Sequence, residues 1–313
     1  MKINPILKKE LLLGSRSIKF PIALMFYSGI MAIVALAILA GSASGFSGSV
    51  EFSALTMVFF VLAFMQLVLI CIIIPILTAG SIAGERERQT LDLLLTAPVS
   101  SLTIVLGKLF SSMCNVILFV VSSLPAMAIA FIYGGIQWRF LFVFLAEILV
   151  SAFFCGTIGV WVASVFKKTI LSIIMTMVIE LAFFVGTLAV VGSIYAGKNI
   201  ALMTAMSNST TAAGSMPAVQ MGWFHSILLL NPATGFVDSL LHTYTGIGCM
   251  HEFLSGGVFG TSAPGLVAMS EHWYVFSFIV TAALGVLFIF LTVRHLDMMC
   301  KKDKFLQPVK KKK

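Results

Sequence analysis

The chain has 313 residues, 59% of them hydrophobic and only 10% charged, against about 25% charge in an ordinary soluble domain. That excludes a water-soluble globular protein and an unfolded chain alike. The net charge of +8 does not point to nucleic acid, because the basic residues form short clusters beside apolar runs and not an aromatic-studded polar face.

At about 20 apolar residues per crossing, this length admits roughly six helical spans. The fold class predicted is an all-α integral membrane protein. In chain order, Ile3, Ile6, Leu7, Leu11 and Ile18 recur at roughly helical spacing with Lys8, Lys9 and Arg16 between them. That pattern predicts an N-terminal interfacial helix lying on the membrane lipids of the inner leaflet; the plainer reading is a basic tail. Charge-free runs then place spans at 21–40, 52–83, 109–138, 140–166, 169–197 and 273–293, with one Glu inside each of the fourth and fifth. Ala40-Gly41-Ser42-Ala43 resembles a signal cleavage site, but the run before it exceeds the about 7–15 residues of a signal core, so the segment is expected to stay. Pro75 and Pro125 fall inside spans, where neighbouring helices can accommodate them.

Orientation follows the basic residues. With both termini cytoplasmic, 18 of the 20 Lys and Arg lie inside and two, Arg139 and Lys198, outside. The expected location is the cell (plasma) membrane, multi-pass. Between the fifth and last spans, a Ser-, Thr- and Met-rich stretch precedes a second apolar run at 223–241 that is split by Asn231-Pro232. The residue before a proline is biased away from helix, so this run reads as two short pieces forming an external re-entrant hairpin. Two additional crossings are the competing reading.

The densest signal lies between the second and third spans, SIAGERERQTLDLLLTAPVSSLTIVLGKL at 81–109. Glu85, Arg86, Glu87 and Arg88 form a compact charged run. Residues 90–97 then place Leu91, Leu94 and Leu95 on one helical face. Pro98 stops that helix, and Ser100 or Ser101 can cap the next. The product is a cytoplasmic helix of about two turns, ~12 Å long, with an apolar stripe. The stripe either docks another protein or rests on the inner leaflet or the bundle.

This loop resembles that of type 2 ATP-binding-cassette (ABC) exporter permeases, in which a charged E-R/K-E run precedes T-L-D/E-L-L-L-T-x-P-V-S and then a G-K pair. Glu85, Glu87, Thr90, Leu91, Asp92, Leu93, Leu94, Leu95, Thr96, Pro98, Val99, Ser100, Gly107 and Lys108 match in place. Gln89 departs, at a position where glycine is frequent. The resemblance implies a coupling helix that docks on a separate cytosolic ABC ATPase. The residues it implicates are Glu85, Arg86, Glu87, Arg88, Thr90, Leu91, Asp92, Leu94, Leu95, Pro98 and Lys108, and the turn at Lys167-Lys168-Thr169 could add a smaller contact. It also implies a second permease half, identical or sister. The domain plan is then an interfacial helix at 1–19, a six-span permease domain at 20–297 (coupling loop 81–109, external loop and hairpin 198–272) and a basic cytoplasmic tail at 298–313.

No catalytic residue is assigned. A phosphate loop needs G-x-x-x-x-G-K-[ST], and GSIYAGKN at 192–199 lacks the final hydroxyl. ATP and magnesium are therefore expected on the partner and no cofactor in this chain. Glu147 and Glu180 lie within spans, where an ionised side chain costs on the order of 3 kcal/mol. They line a pathway or hold helices together. His242, Cys249, His251, Glu252 and His272 lack standard ligand spacing, so no metal is expected. The five cysteines lack a disulfide framework, and Asn208-Ser209-Thr210 is an undecided glycosylation acceptor. Ser151, Cys155, Gly159 and Ala163 make a small-xxx-small face, read first as packing within the subunit. The basic tail suits anionic lipid. The function expected is a permease subunit coupling a partner's ATP hydrolysis to export; a non-transporting membrane scaffold that docks a cytosolic partner is the alternative.

Overall fold

The computed structural model describes residues 18–43, 52–89, 100–134, 138–207, 222–248, 250–251 and 269–306. Among these residues all regular structure is helical. The helices are α1 (Lys19–Ala43), α2 (Phe52–Glu87), α3 (Ser101–Gly134), α4 (Trp138–Val165), α5 (Thr169–Leu181), α6 (Thr187–Ser207), α7 (Pro232–Thr245) and α8 (Trp273–Leu306). A π-turn, Ala182–Gly186, joins α5 to α6, and a 3-10 helix, Gly222–Leu230, leads into α7. Among the described residues six helical spans are long and apolar enough to cross a membrane, and the protein is a multi-pass membrane protein. The interfacial helix expected at 1–19 and the leucine-striped helix at 90–97 fall almost wholly outside the described residues, as do Cys249, Glu252 and the chain from 307 onward.

The spans follow the charge-free runs, but their ends do not. α2 continues through the charged run to Glu87, the α5–α6 span reaches Ser207 where 197 was expected, and α8 reaches Leu306 where 293 was expected. Hydropathy marks the stretch that lipid requires, whereas backbone hydrogen bonding continues wherever the chain remains helical. The third span stops at Gly134, and Trp138 opens α4 instead of closing α3. α2 and α3 both run uninterrupted through their prolines. The fifth span is not one α-helix but two joined by the π-turn.

The chain forms two compact units. The first comprises Met1–Ile136, Ala152–Val178 and Leu284–Lys313. In it the Tyr27 hydroxyl donates to the Gln66 side-chain carbonyl, linking α1 to α2. The Phe119 ring meets Phe20 and Tyr27 edge-on, bringing in α3. Gly159 brings α4 against α2: a Cβ there would overlap the Thr78 hydroxyl and sit 3.0 Å from Thr78 Cβ. The small-residue face thus packs within the subunit. Its core gathers Ile82 and Ala83 of α2, Val105 and Leu109 of α3, Val160 and Ala163 of α4, and Leu296 of α8. Apolar packing therefore reaches to within two residues of Glu85, the first charge of the run.

The second unit comprises Gln137–Ser151 and Ile179–Ala283. Val191 of α6, Leu228 and Leu229 of the 3-10 helix, and Trp273 of α8 form its core. The apolar run expected to break at Asn231-Pro232 does so. Asn231 takes an extended backbone, as the following proline demands, and caps α7 by accepting from the Ala233 N–H at 2.9 Å. Phe236 of α7 stacks edge-on against Phe144 of α4.

Candidate functional site

Successive residues of an α-helix point about 100° apart, and the last three of α2 each reach a different helix. Glu85 Oε1 lies 3.0 Å from Lys108 Nζ of α3, with the lysine side chain 1% exposed and the glutamate 21%. Lys108 also donates to the Ser81 carbonyl at 2.8 Å. Arg86 reaches the end of α4, donating to the Ser164 carbonyl at 2.9 Å and the Phe166 carbonyl at 3.3 Å. Carbonyls at a helix end lack intrahelical partners, so the guanidinium acts there as a C-cap. Glu87 turns to the start of α5, where its Oε2 accepts from the Thr169 hydroxyl at 2.6 Å and the Thr169 N–H at 3.3 Å. A carboxylate at a helix N-terminus satisfies an orphan donor and suits the helix dipole.

Arg88 follows, exposed. Gln89 then has φ 59°, in the left-handed region, and its N–H donates to the Arg86 carbonyl at 3.0 Å. Glycine adopts a left-handed backbone without the steric cost that a side chain brings. On the far side of the loop, Ser100 caps α3 by accepting from the Thr103 N–H at 3.3 Å. The Ser101 hydroxyl donates to Asp297 of α8 at 2.6 Å. Both ends of the segment 90–99 are therefore fastened: the α2 end to α3, α4 and α5, and the α3 end to α8.

The residues singled out in the sequence separate accordingly. Glu85 and Lys108 pair with each other. Arg86 and Glu87 bracket the turn between α4 and α5, the Lys167-Lys168-Thr169 turn read above as a second contact, and Thr169 is engaged by Glu87. Thr90, Leu91, Asp92, Leu94, Leu95 and Pro98 lie outside the described residues. The phosphate-loop near miss at 192–199 sits inside α6 and offers no loop for a phosphate.

In the second unit Glu147 and Glu180 are both buried. Glu147 faces Asp238 of α7, with the Ser239 hydroxyl in hydrogen-bond reach. Asp238 accepts from the Met250 N–H at 2.8 Å, and burial pushes its carboxyl above the ordinary carboxylate range. The His251 ring nitrogen lies 3.0 Å from the Ser270 hydroxyl, and the His242 ring packs on Tyr274. Among the described residues no three His, Cys, Asp or Glu side chains gather so as to hold a metal ion. Sequence reasoning missed Asp238, although it is the sole charged side chain in the apolar run 223–241. That isolation was the available signal.

The family model described as ABC-2 family transporter protein matches residues 4–293 of this chain. No curated protein matches it.

Proposed function

Because the chain belongs to the ABC-2 family of transporters and is an ABC transporter permease, we propose that it is the half that couples a separate cytosolic ATPase to export of substrate. In this reading both termini face the cytoplasm, the protein sits in the plasma membrane, and two halves, identical or sister, assemble with two ATPases that hold the ATP and magnesium. The helix at 90–97 docks on the ATPase through Leu91, Leu94 and Leu95.

One observation carries this reading: Glu85, Arg86 and Glu87 tie the loop base to α3, α4 and α5. A segment that merely lay on lipid would have no need of such an anchorage. A segment that receives a push from a nucleotide-driven motor needs one, because slack at its base would absorb the stroke. Short charge-assisted contacts to three helices at once convert displacement of the loop into displacement of the bundle.

The test is purification of the chain from its native membrane in mild detergent and assay of the product for a bound ABC ATPase. Burying one leucine is worth about 1.5–3 kcal/mol, so Leu94→Glu is expected to weaken retention of the ATPase by about 10- to 100-fold. The thermal midpoint of the permease should stay unchanged. If the wild-type chain retains no nucleotide-hydrolysing subunit, or if Leu94→Glu retains it fully, the coupling reading fails.

A further inference from the structure

The π-turn at Ala182–Gly186 has no cause within its own sequence. It contains no proline, none of its side chains is buried, and an α-helix would accommodate AFFVG. π-turns are rare in helices and concentrate at functional positions. What touches this one is Asn231, itself fully buried. Its Nδ2 donates to the Phe184 carbonyl, inside the π-turn, at 2.8 Å, and to the Thr187 hydroxyl oxygen, the first residue beyond it, at 2.9 Å. The Thr187 hydroxyl donates onward to the Phe183 carbonyl at 2.7 Å. The Asn231 amide oxygen is occupied by the Ala233 N–H of α7. Every hydrogen-bonding group of this side chain is therefore used, the donors on the fifth span and the acceptor on the hairpin.

The geometry points to Asn231 as the positioning residue that holds the fifth span in its π-turn and so sets which face of α6 meets the hairpin. A π-turn absorbs one residue, so α6 stands about 100° and ~1.5 Å from where an unbroken α-helix would place it. With the π-turn present, Val191, Ile194 and Leu202 pack on the core around Leu228, Leu229 and Trp273. In an unbroken helix each of these places passes to the preceding residue, so Val190 replaces Val191. A hairpin displacement that withdrew the amide would thereby rotate α6 by one residue. The π-turn is a two-register element, and the hairpin is its catch. Use of this element in the transport cycle rests on the function proposed above; the register itself does not.

The experiment reads the register alone, on the full-length chain in lipid nanodiscs without nucleotide, ATPase or substrate. Its failure is therefore separate from failure of the coupling reading. In a background with the native cysteines replaced, a nitroxide is placed at Val190 or at Val191 and its collision rate with oxygen is measured. In the parent protein the label at 190 is accessible and that at 191 shielded, as their 46% and 6% exposures require. Asn231→Ala and the isosteric Asn231→Asp, which cannot donate, should invert this order. Deleting Val185 from the π-turn removes the extra residue covalently, so adding that deletion to Asn231→Ala should restore the parent order. A side chain that only added stability would give additive damage instead. Unchanged accessibilities in both Asn231 variants, loss of contrast without inversion, or an inversion that the deletion fails to reverse would overturn the proposal.

Discussion

The ion pair between Glu85 and Lys108 makes an asymmetric prediction. The two partners are unequally placed: the ammonium is 1% exposed and the carboxylate 21%. Removing the counter-charge of a fully buried ion costs about 3–5 kcal/mol. Glu85→Ala does this to Lys108 and should destabilise by about that amount, the nearby Ser81 carbonyl moderating the loss. Lys108→Met, a near-isosteric change, leaves a carboxylate that water already reaches, so the penalty falls to about 1–2 kcal/mol. In the double variant no charge is stranded. Lys108→Met should therefore return about 1–2 kcal/mol of the Glu85→Ala loss, with a coupling of about 3 kcal/mol in the double-mutant cycle. Unfolding midpoints under sodium dodecyl sulfate titration in mixed micelles would measure all four proteins. Equal costs for the two single changes, or additivity in the double, would refute the argument that burial of the lysine governs this corner of the bundle.

Two further outcomes follow from the backbone and the packing. Gln89 has a left-handed φ of 59°, a conformation costing a side-chain-bearing residue roughly 1–2 kcal/mol. Gln89→Gly should therefore raise stability by about 1 kcal/mol in the same titration, after the greater chain entropy of glycine is set against it. Gly159→Ala forces a methyl into the Thr78 side chain. Overpacking of this kind costs about 1–3 kcal/mol, and Thr78→Ala should return part of it by vacating the hydroxyl.

The spans were legible because an apolar run of lipid length is a property of composition, independent of what it packs against. Helix ends were not, since α6 passes through Lys198 and Asn199 and α8 through Arg294 and Asp297 without breaking. Within the site, Glu85, Arg86 and Glu87 were visible as a charge cluster. Their division among α3, α4 and α5 was not visible, because it depends on contacts as much as 82 residues apart in sequence. Ser100 as a cap and Asn231-Pro232 as a break are local chemistry, and both were readable. The π-turn has no local signature, and it emerges only where a distant amide engages its carbonyl.

The order of the charges at the end of α2 matters as much as their number. A permutation to Arg-Glu-Glu would keep the net charge and the local helix propensity. It would nevertheless set a guanidinium against the Lys108 ammonium and a carboxylate against the α4 carbonyls. Two of three attractions would become repulsions in a chain of identical composition. Exchange at these positions is therefore a matter of sequence grammar, and any homologous loop grafted here must keep an acid opposite Lys108, a base opposite the α4 carbonyls and an acid opposite Thr169.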